Sequence, residues 1–176
     1  ATDTWETVAP MSTARNELTA EVVGGQLYAI GGQAAANTYL QSVERYTPAT
    51  DTWEAVADLA GPGRFGLHAA VTVDGKLWVV GGYAGDNNLK TVEVYDRATN
   101  TWTAKADMNT TRSSHGLVVI NGALHAIGSY GGVRSVERYD AAADSWSLVP
   151  EMELPEGVIG NLFTAAVLAD DDDDDD

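Results

Sequence analysis

The feature that most constrains the fold is a long internal repeat. An Asp/Asn-Thr/Ser-Trp tripeptide occurs four times, and its tryptophans, 48, 49 and 44 residues apart, are Trp5, Trp53, Trp102 and Trp146. A Val-Glu-x-Tyr motif occurs three times, seven residues before a tryptophan, and its tyrosines are Tyr46, Tyr95 and Tyr139. Self-similarity at a period of roughly 20–50 residues is typical of solenoids, propellers and arrays.

Two further features keep the same register. An apolar run ends at a glycine pair in Gly31-Gly32 and Gly81-Gly82, and Gly128-Ser129 takes the third place. An arginine precedes the first strand of each period, at Arg15, Arg64 and Arg112. Glycine pairs permit positive φ and close backbone approach, so we interpret them as structural, not as phosphate-binding loops.

Each period reads as four short β-strands. The first is mostly apolar, as suits an inner strand covered on both faces. The first and second strands are joined by Gly24-Gly25, Asp74-Gly75 or Asn121-Gly122, and Asp-Gly and Asn-Gly favour two-residue hairpins. The third strand carries Val-Glu-x-Tyr and the fourth carries the tryptophan, so the sequence predicts an all-β chain.

These residues resemble the kelch repeat, whose signature is a glycine pair followed by spaced tyrosine and tryptophan. The resemblance implies that each repeat is a four-stranded blade of a β-propeller, and that the chain is a binding module. We place the blades at 12–59, 60–109 and 110–150. Residues 1–11 are predicted to be the outer strand of a preceding blade, and 151–169 a partial blade.

Three blades with spare strands at each end are too few to close a ring, because propellers typically have 4–8 blades. Open strand edges invite pairing with other chains. We therefore expect a homo-oligomer or part of a longer chain. The N-terminus has neither a signal peptide nor an initiator Met, which indicates a processed product, a piece or an engineered chain. The run 170–176 is seven aspartates, which predicts an acidic, disordered tail.

Composition narrows the partners. The formal net charge of −16 argues against a nucleic-acid partner, because phosphate backbones repel acidic surfaces. No apolar run reaches the length of a membrane span. The absence of Cys excludes disulfides and thiolate chemistry. Abundant Asp and scarce Lys slightly favour an extracellular or periplasmic location over the cytoplasm.

The arginines allow two interpretations that can coexist. Each guanidinium either braces neighbouring blades or contributes to a ring of cations for an acidic peptide or carboxylate ligand. Loops carry function on rigid scaffolds, so the loops 33–41 and 83–90 are further contact candidates. The predicted ligand-binding residues are Arg15, Arg64, Arg112, Tyr83, Asn87 and His115.

No catalytic set can be assigned. The histidines, His68, His115 and His125, have no metal-ligand spacing, and Gly-x-Ser-x-Gly is absent. We therefore predict no metal, no cofactor and no enzymatic activity, and expect a non-catalytic module with a protein or peptide partner. Two alternatives stay open: a self-assembling structural protein, and a carbohydrate-active enzyme on a kelch propeller.

Overall fold

A computed structural model of the protein describes residues 3–35, 38–64, 69–85, 87–152 and 154. Three four-stranded antiparallel sheets follow one another along the chain. Each sheet lies within one of the three predicted blades, and the inner strand of each pairs only with the second strand in its own sheet. The all-β prediction and the four-stranded blades are confirmed.

The first blade contains β1 (Thr19–Val23), β2 (Gln26–Ile30), a short hairpin of β3 (Gln33–Ala35) and β4 (Thr38–Tyr39), then β5 (Val43–Thr47) and β6 (Thr52–Val56). The second blade contains β7 (Ala69–Val73), β8 (Lys76–Val80), a short hairpin of β9 (Tyr83–Ala84) and β10 (Asn87–Asn88), then β11 (Val92–Asp96) and β12 (Thr101–Lys105). The third contains β13 (Gly116–Ile120), β14 (Ala123–Ser129), β15 (Val133–Asp140) and β16 (Ser145–Leu148).

The turns between first and second strands have the predicted geometry. Asp74 and Gly75 have φ values of 49° and 70°, and Asn121 and Gly122 have 49° and 72°. Positive φ at both central residues is the requirement of the type I′ hairpin. The predicted loops 33–41 and 83–90 differ from expectation, because each contains a two-stranded hairpin. The shorter third loop instead extends β14 and β15, with an irregular register between Ile127 and Ser129.

Aromatic rings hold each blade to the next. Within a blade, tyrosine and tryptophan lie opposite each other on neighbouring strands, with ring centroids 5.0 Å apart for Tyr95 and Trp102. Between blades, Tyr28 of β2 meets Tyr95 edge-on at 5.7 Å, and Trp78 of β8 meets Tyr139 at 5.2 Å. Such edge-to-face pairs add about 0.5–1.5 kcal/mol beyond the area they bury.

The Asp/Asn-Thr/Ser-Trp tripeptide fixes the segment that enters its blade. In the second blade, the Asn100 side chain accepts hydrogen bonds from the Ala57 N–H at 2.9 Å and from the Tyr95 hydroxyl at 2.8 Å. The Trp102 indole donates to the Ala57 carbonyl at 2.9 Å. The first and third blades repeat these three bonds with Asp51 and Asp144. The tyrosine and the Asp/Asn–Trp pair of each blade are therefore linked in one hydrogen-bond network that holds the incoming segment.

The ends agree less closely with the sequence interpretation. Residues 3–11 form no strand, and the side chain of Trp5, predicted to lie in an outer strand, is fully exposed. Pro150–Met152 form a single 3₁₀ turn. Most of the predicted partial blade and the whole aspartate tail lie outside the described residues. In the part of the chain that the structure describes, no helix has the length and apolarity that a membrane crossing requires.

Candidate functional site

The three predicted arginines lie where one blade joins the next. The Arg64 N–H donates to the Leu40 carbonyl of the first blade at 3.1 Å, and its carbonyl accepts from the Gly32 N–H at 2.9 Å. Arg112 makes the same two bonds to Leu89 and Gly82 of the second blade. Arg64 and Arg112 are therefore tied to the preceding blade by their backbones, and the side chain of each arginine, Arg15 included, turns into its own blade.

Each guanidinium pairs with the glutamate of the Val-Glu-x-Tyr motif. Nη2 of Arg15 lies 2.7 Å from Glu44, Nη2 of Arg112 lies 2.9 Å from Glu137, and Arg64 pairs with Glu93 in the same way. The arginine side chains have no exposed surface. We call each pair an Arg–Glu clamp. The Nη1 atoms donate to the first glycine of each glycine pair or its equivalent: Gly31, Gly81 and Gly128.

The glutamates also accept backbone hydrogen bonds from the segment that leads into their blade. Glu44 accepts from the N–H groups of Ser12 and Thr13, and Glu137 accepts from those of Asn109 and Thr110. Burial opposes ionisation of Glu44 and Glu137. Hydrogen bonds from the Ser12 hydroxyl to Glu44 and from Arg112 to Glu137, together with these backbone bonds, outweigh burial and hold the pKa of both carboxyls below the ordinary value. Each carboxylate therefore links the incoming segment to an arginine, and that arginine in turn bonds the glycine turn.

This geometry corrects the picture of an exposed cation ring. The guanidinium groups of Arg15, Arg64 and Arg112 are enclosed, and each is neutralised by an internal carboxylate. An acidic ligand would have to displace a hydrogen-bonded glutamate from each of them. The contacts observed are those of the bracing interpretation, and direct binding through these arginines stays a prediction.

His115 is also placed inside the protein. Its exposed fraction is 3%, and neither ring nitrogen has a hydrogen-bond partner within the described part of the chain. Burial, aided by the charge of Arg112, lowers the pKa of His115 to about 3. The ring is therefore neutral and enclosed in the folded protein, and its predicted contact with a ligand requires a change of structure.

Tyr83 and Asn87 lie in a surface that we call the loop face. The residues of this surface are Asn16, Glu17, Gln33, Tyr39, Tyr83, Asn87, Asn88 and Tyr130. Gln33, Tyr83 and Tyr130 each follow the glycine pair or its equivalent, Asn87 is exposed, and Tyr130 is 60% exposed.

The loops of neighbouring blades contact each other across this face. The hydroxyl of Tyr39 lies 3.5 Å from the Gly85 carbonyl. The Ser113 hydroxyl of the third blade donates to the Asn88 side chain at 2.7 Å. Within the first blade, the backbones of Asn16 and Gln33 also exchange two hydrogen bonds. The loop face is thus one connected surface, held from beneath by the Arg–Glu clamps.

Sequence reasoning missed parts of this arrangement. The clamp could have been found from spacing, because the motif glutamate follows its arginine by 29 residues in the first two blades and by 25 in the third. Tyr130 could have been found by its equivalence to Tyr83. Glu17 is an exposed residue with φ 50°, and no sequence signal predicts that conformation.

Within the described ranges, no three histidine, aspartate or glutamate side chains are grouped in a way that could hold a metal ion.

A profile of the KLHDC2/KLHL20/DRC7 kelch-repeats domain matches residues 1–169. The chain belongs to the kelch-repeat family. It is 35% identical to human kelch-like protein 34 over 150 residues, which are 81% of this chain and 23% of that protein.

It is also 32% identical to zebrafish kelch-like protein 26, over 89% of this chain and 27% of that protein. The kelch-repeat chain therefore spans about a quarter of the length of these two relatives. Among solved structures, that of YjhT superposes with a TM-score of 0.71 at 17% identity, covering 89% of this chain and 57% of that one. That likeness supports the blade-type β-propeller fold.

Proposed function

We propose that the kelch-repeat chain is a protein-interaction module whose loop face binds a peptide segment of a partner protein. The observation that carries this proposal is the grouping of exposed and half-buried tyrosine and amide side chains, with Tyr130 and Asn87 exposed among them, on one rigidly supported surface. Tyrosine combines a large apolar ring with a hydroxyl and loses little rotamer freedom on binding, so it is enriched in interfaces and among their hot spots. Membership of the kelch-repeat family supports the same function.

The charges of the loop face favour a polar or basic segment over an acidic one. The nearby arginines are neutralised by their clamp glutamates. Of the eight residues that define the loop face, Glu17 alone carries a charge. Complementary charge steers association and excludes partners with like charge, so we expect the bound segment to lack a cluster of carboxylates where it meets Glu17.

The test is peptide selection on the purified chain. Random peptides displayed on phage are panned against the wild type, and selected peptides are titrated against Tyr83→Ala, Tyr130→Ala and Asn87→Ala. We expect at least one tyrosine variant to lose about 10-fold or more in affinity, as a hot-spot tyrosine does. Glu17→Arg should weaken basic peptides and strengthen acidic ones.

Lys76→Ala supplies the matched control, because Lys76 is exposed at the opposite end of the second blade and pairs there with Asp96. Circular dichroism and urea midpoints confirm that every variant is folded. Peptides that bind all loop-face variants as tightly as the wild type, and lose affinity with Lys76→Ala, would place the site elsewhere and overturn the proposal.

A second candidate, self-association, is favoured by an exposed row on the first blade. In the second and third blades, the row containing tyrosine and tryptophan is covered by the blade before it. In the first blade the same row contains Tyr46 and Trp53, and Val22 in it is 56% exposed. Light scattering tests this candidate: we expect a mass above 18.6 kDa that falls in Val22→Asp, whereas a stable wild-type monomer would exclude it.

A further inference from the structure

His115 occupies a position that the other two repeats fill with leucine. It lies three residues after the clamp arginine of its blade, and the equivalent residues are Leu18 and Leu67. The ring packs at the junction of the second and third blades. A Cβ added to Gly81 would lie 2.8 Å from the ring carbon Cε1 of His115 and 3.2 Å from the end of the Met108 side chain. The carbonyl oxygen of Arg112 lies 2.6 Å from the same point. The histidine therefore fills an interior position between two blades.

The cost of burying the polar His115 ring is not offset by hydrogen bonds to described residues. Among the residues that the structure describes, neither nitrogen of His115 has a hydrogen-bond partner, although a buried polar group without one is costly. Gly81 and Met108, which pack near the ring, do not titrate. The charged groups around it are Arg112 on its own segment, with Glu137 of β15 as the partner of that arginine.

Among the described residues, a further charged pair near this junction lies at the surface. Asp107, next to Met108 in the linker, pairs with Lys90 at 3.7 Å, and both side chains are about half exposed. None of these groups offers the ring a buried counter-ion. Arg112 and burial together disfavour the charged imidazolium, and the pKa of His115 in the closed junction falls to about 3.

We propose that His115 makes the junction between the second and third blades a pH-sensitive joint, which opens in mild acid as the ring becomes hydrated and protonated. Water would replace the missing hydrogen bonds and solvate the imidazolium in the open state. The closed state binds the proton far more weakly, so acid shifts the population towards the open state.

The opening has a defined place in the fold. The contacts that cross this junction near His115 include the Gly82 N–H to Arg112 carbonyl bond and the Ser113 to Asn88 bond. Their separation would divide the loop face between the second and third blades. An acid-triggered loss of a bound partner rests on the function proposed above, whereas the opening itself does not.

Native-state hydrogen exchange of the full chain measures this opening directly. A histidine with an ordinary pKa near 6.5 in the open state and about 3 in the closed state raises the opening constant about 30-fold between pH 7.5 and 5.0. We expect the protection factors of β13 and β8 amides, corrected for intrinsic exchange, to fall by about that factor. The amides of β2 and β5 in the first blade should change much less.

Two variants separate titration from packing. His115→Leu copies the other repeats, and His115→Gln keeps a buried polar group that does not titrate. Both should abolish the acid-dependent loss of protection at β13, and His115→Gln keeps the test decisive if the leucine variant misfolds. His125→Asn, in which an amide replaces the ring nitrogen bonded to the Ala123 carbonyl, should keep it. Equal pH dependence in the wild type and either His115 variant would overturn the proposal.

Discussion

The second and third blades contain the same Arg–Glu clamp, but the arginine of the third blade makes more hydrogen bonds than that of the second. Arg112 of the third blade donates to Gly128, to the carbonyl and hydroxyl of Ser135, and to Glu137. In the second blade Thr91 takes the place of Ser135, and its buried hydroxyl has no partner among the described residues. Arg64 bonds Gly81 and Glu93 there. The third blade in turn carries His115, whose ring nitrogens have no partner among the described residues, beside a clamp with more hydrogen bonds.

The difference shows which positions the fold requires and which it tolerates. Arginine and glutamate are present in all three blades, because removing either one leaves a buried charge. The serine that completes the clamp, and the leucine beside it, are each replaced once at the cost of an unsatisfied buried group. The comparison between the blades can therefore be tested by restoring serine at Thr91 and leucine at His115.

The largest effect is expected from opening a clamp. Arg112→Ala leaves Glu137 buried without its counter-ion and should lower the free energy of unfolding by about 3–5 kcal/mol. Arg64→Ala should cost about 1 kcal/mol less, because its clamp has fewer hydrogen bonds to lose. Urea unfolding at constant m-value measures both. Arg45→Ala is the control, since its pair with Glu54 is partly exposed and should contribute less than about 1 kcal/mol. Equal losses in all three variants would contradict the ranking.

The next effect is a pH dependence that originates from His115 of the third blade. The pKa of His115 falls from its ordinary value to about 3 on folding, so the unfolded chain binds more protons between those values. Stability therefore falls as the pH drops through the ordinary histidine value, by about 2 kcal/mol at pH 5 for this group. His115→Leu should remove that loss in urea midpoints measured between pH 7.5 and 5. The pKa values of the clamp carboxylates Glu44 and Glu137 are lowered by folding. Their contribution to stability is therefore lost only at lower pH, as these carboxylates become protonated.

At neutral pH the same leucine variant should stabilise the protein. Leucine removes two unpartnered ring nitrogens from an apolar position, and leaving such groups buried costs about 1–3 kcal/mol. Thermal unfolding at pH 7.5 provides the measurement. A destabilised His115→Leu would indicate that the ring makes a favourable contact that the structure lacks.

The smallest effect concerns the clamp serine. Thr91→Ser frees the side chain from the χ1 restriction of a β-branched residue and allows its hydroxyl to accept from Arg64, as Ser42 accepts from Arg15. We expect a gain of about 0.5–1.5 kcal/mol. The reverse exchange, Ser135→Thr, should lose a similar amount, so that the pair of variants tests one contact from both sides.

Most of the fold could be predicted from the sequence because its signals recur in register. The type I′ turn at Asp74-Gly75 and the strand that carries Tyr95 follow from local chemistry. The hairpins β3–β4 and β9–β10 could not be predicted, since two-residue strands have no periodicity. The burial of Arg64 and His115 depends on the neighbouring blade, so the sequence alone could not distinguish bracing arginines from ligand-binding ones or show that His115 is enclosed.

The measurement that tests the account most directly is a double-mutant cycle on Arg112 and Glu137. The Arg112 and Glu137 side chains form one buried unit that joins the third blade to the segment entering it. The double variant Arg112→Ala/Glu137→Ala should then cost about 2–3 kcal/mol less than the two single losses added together, since in-contact pairs couple by up to that amount. The exposed pair Arg45 and Glu54 should show coupling below about 1 kcal/mol. Losses at Arg112 and Glu137 that add to within about 0.5 kcal/mol would contradict the clamp as one buried unit that joins the third blade to its entering segment.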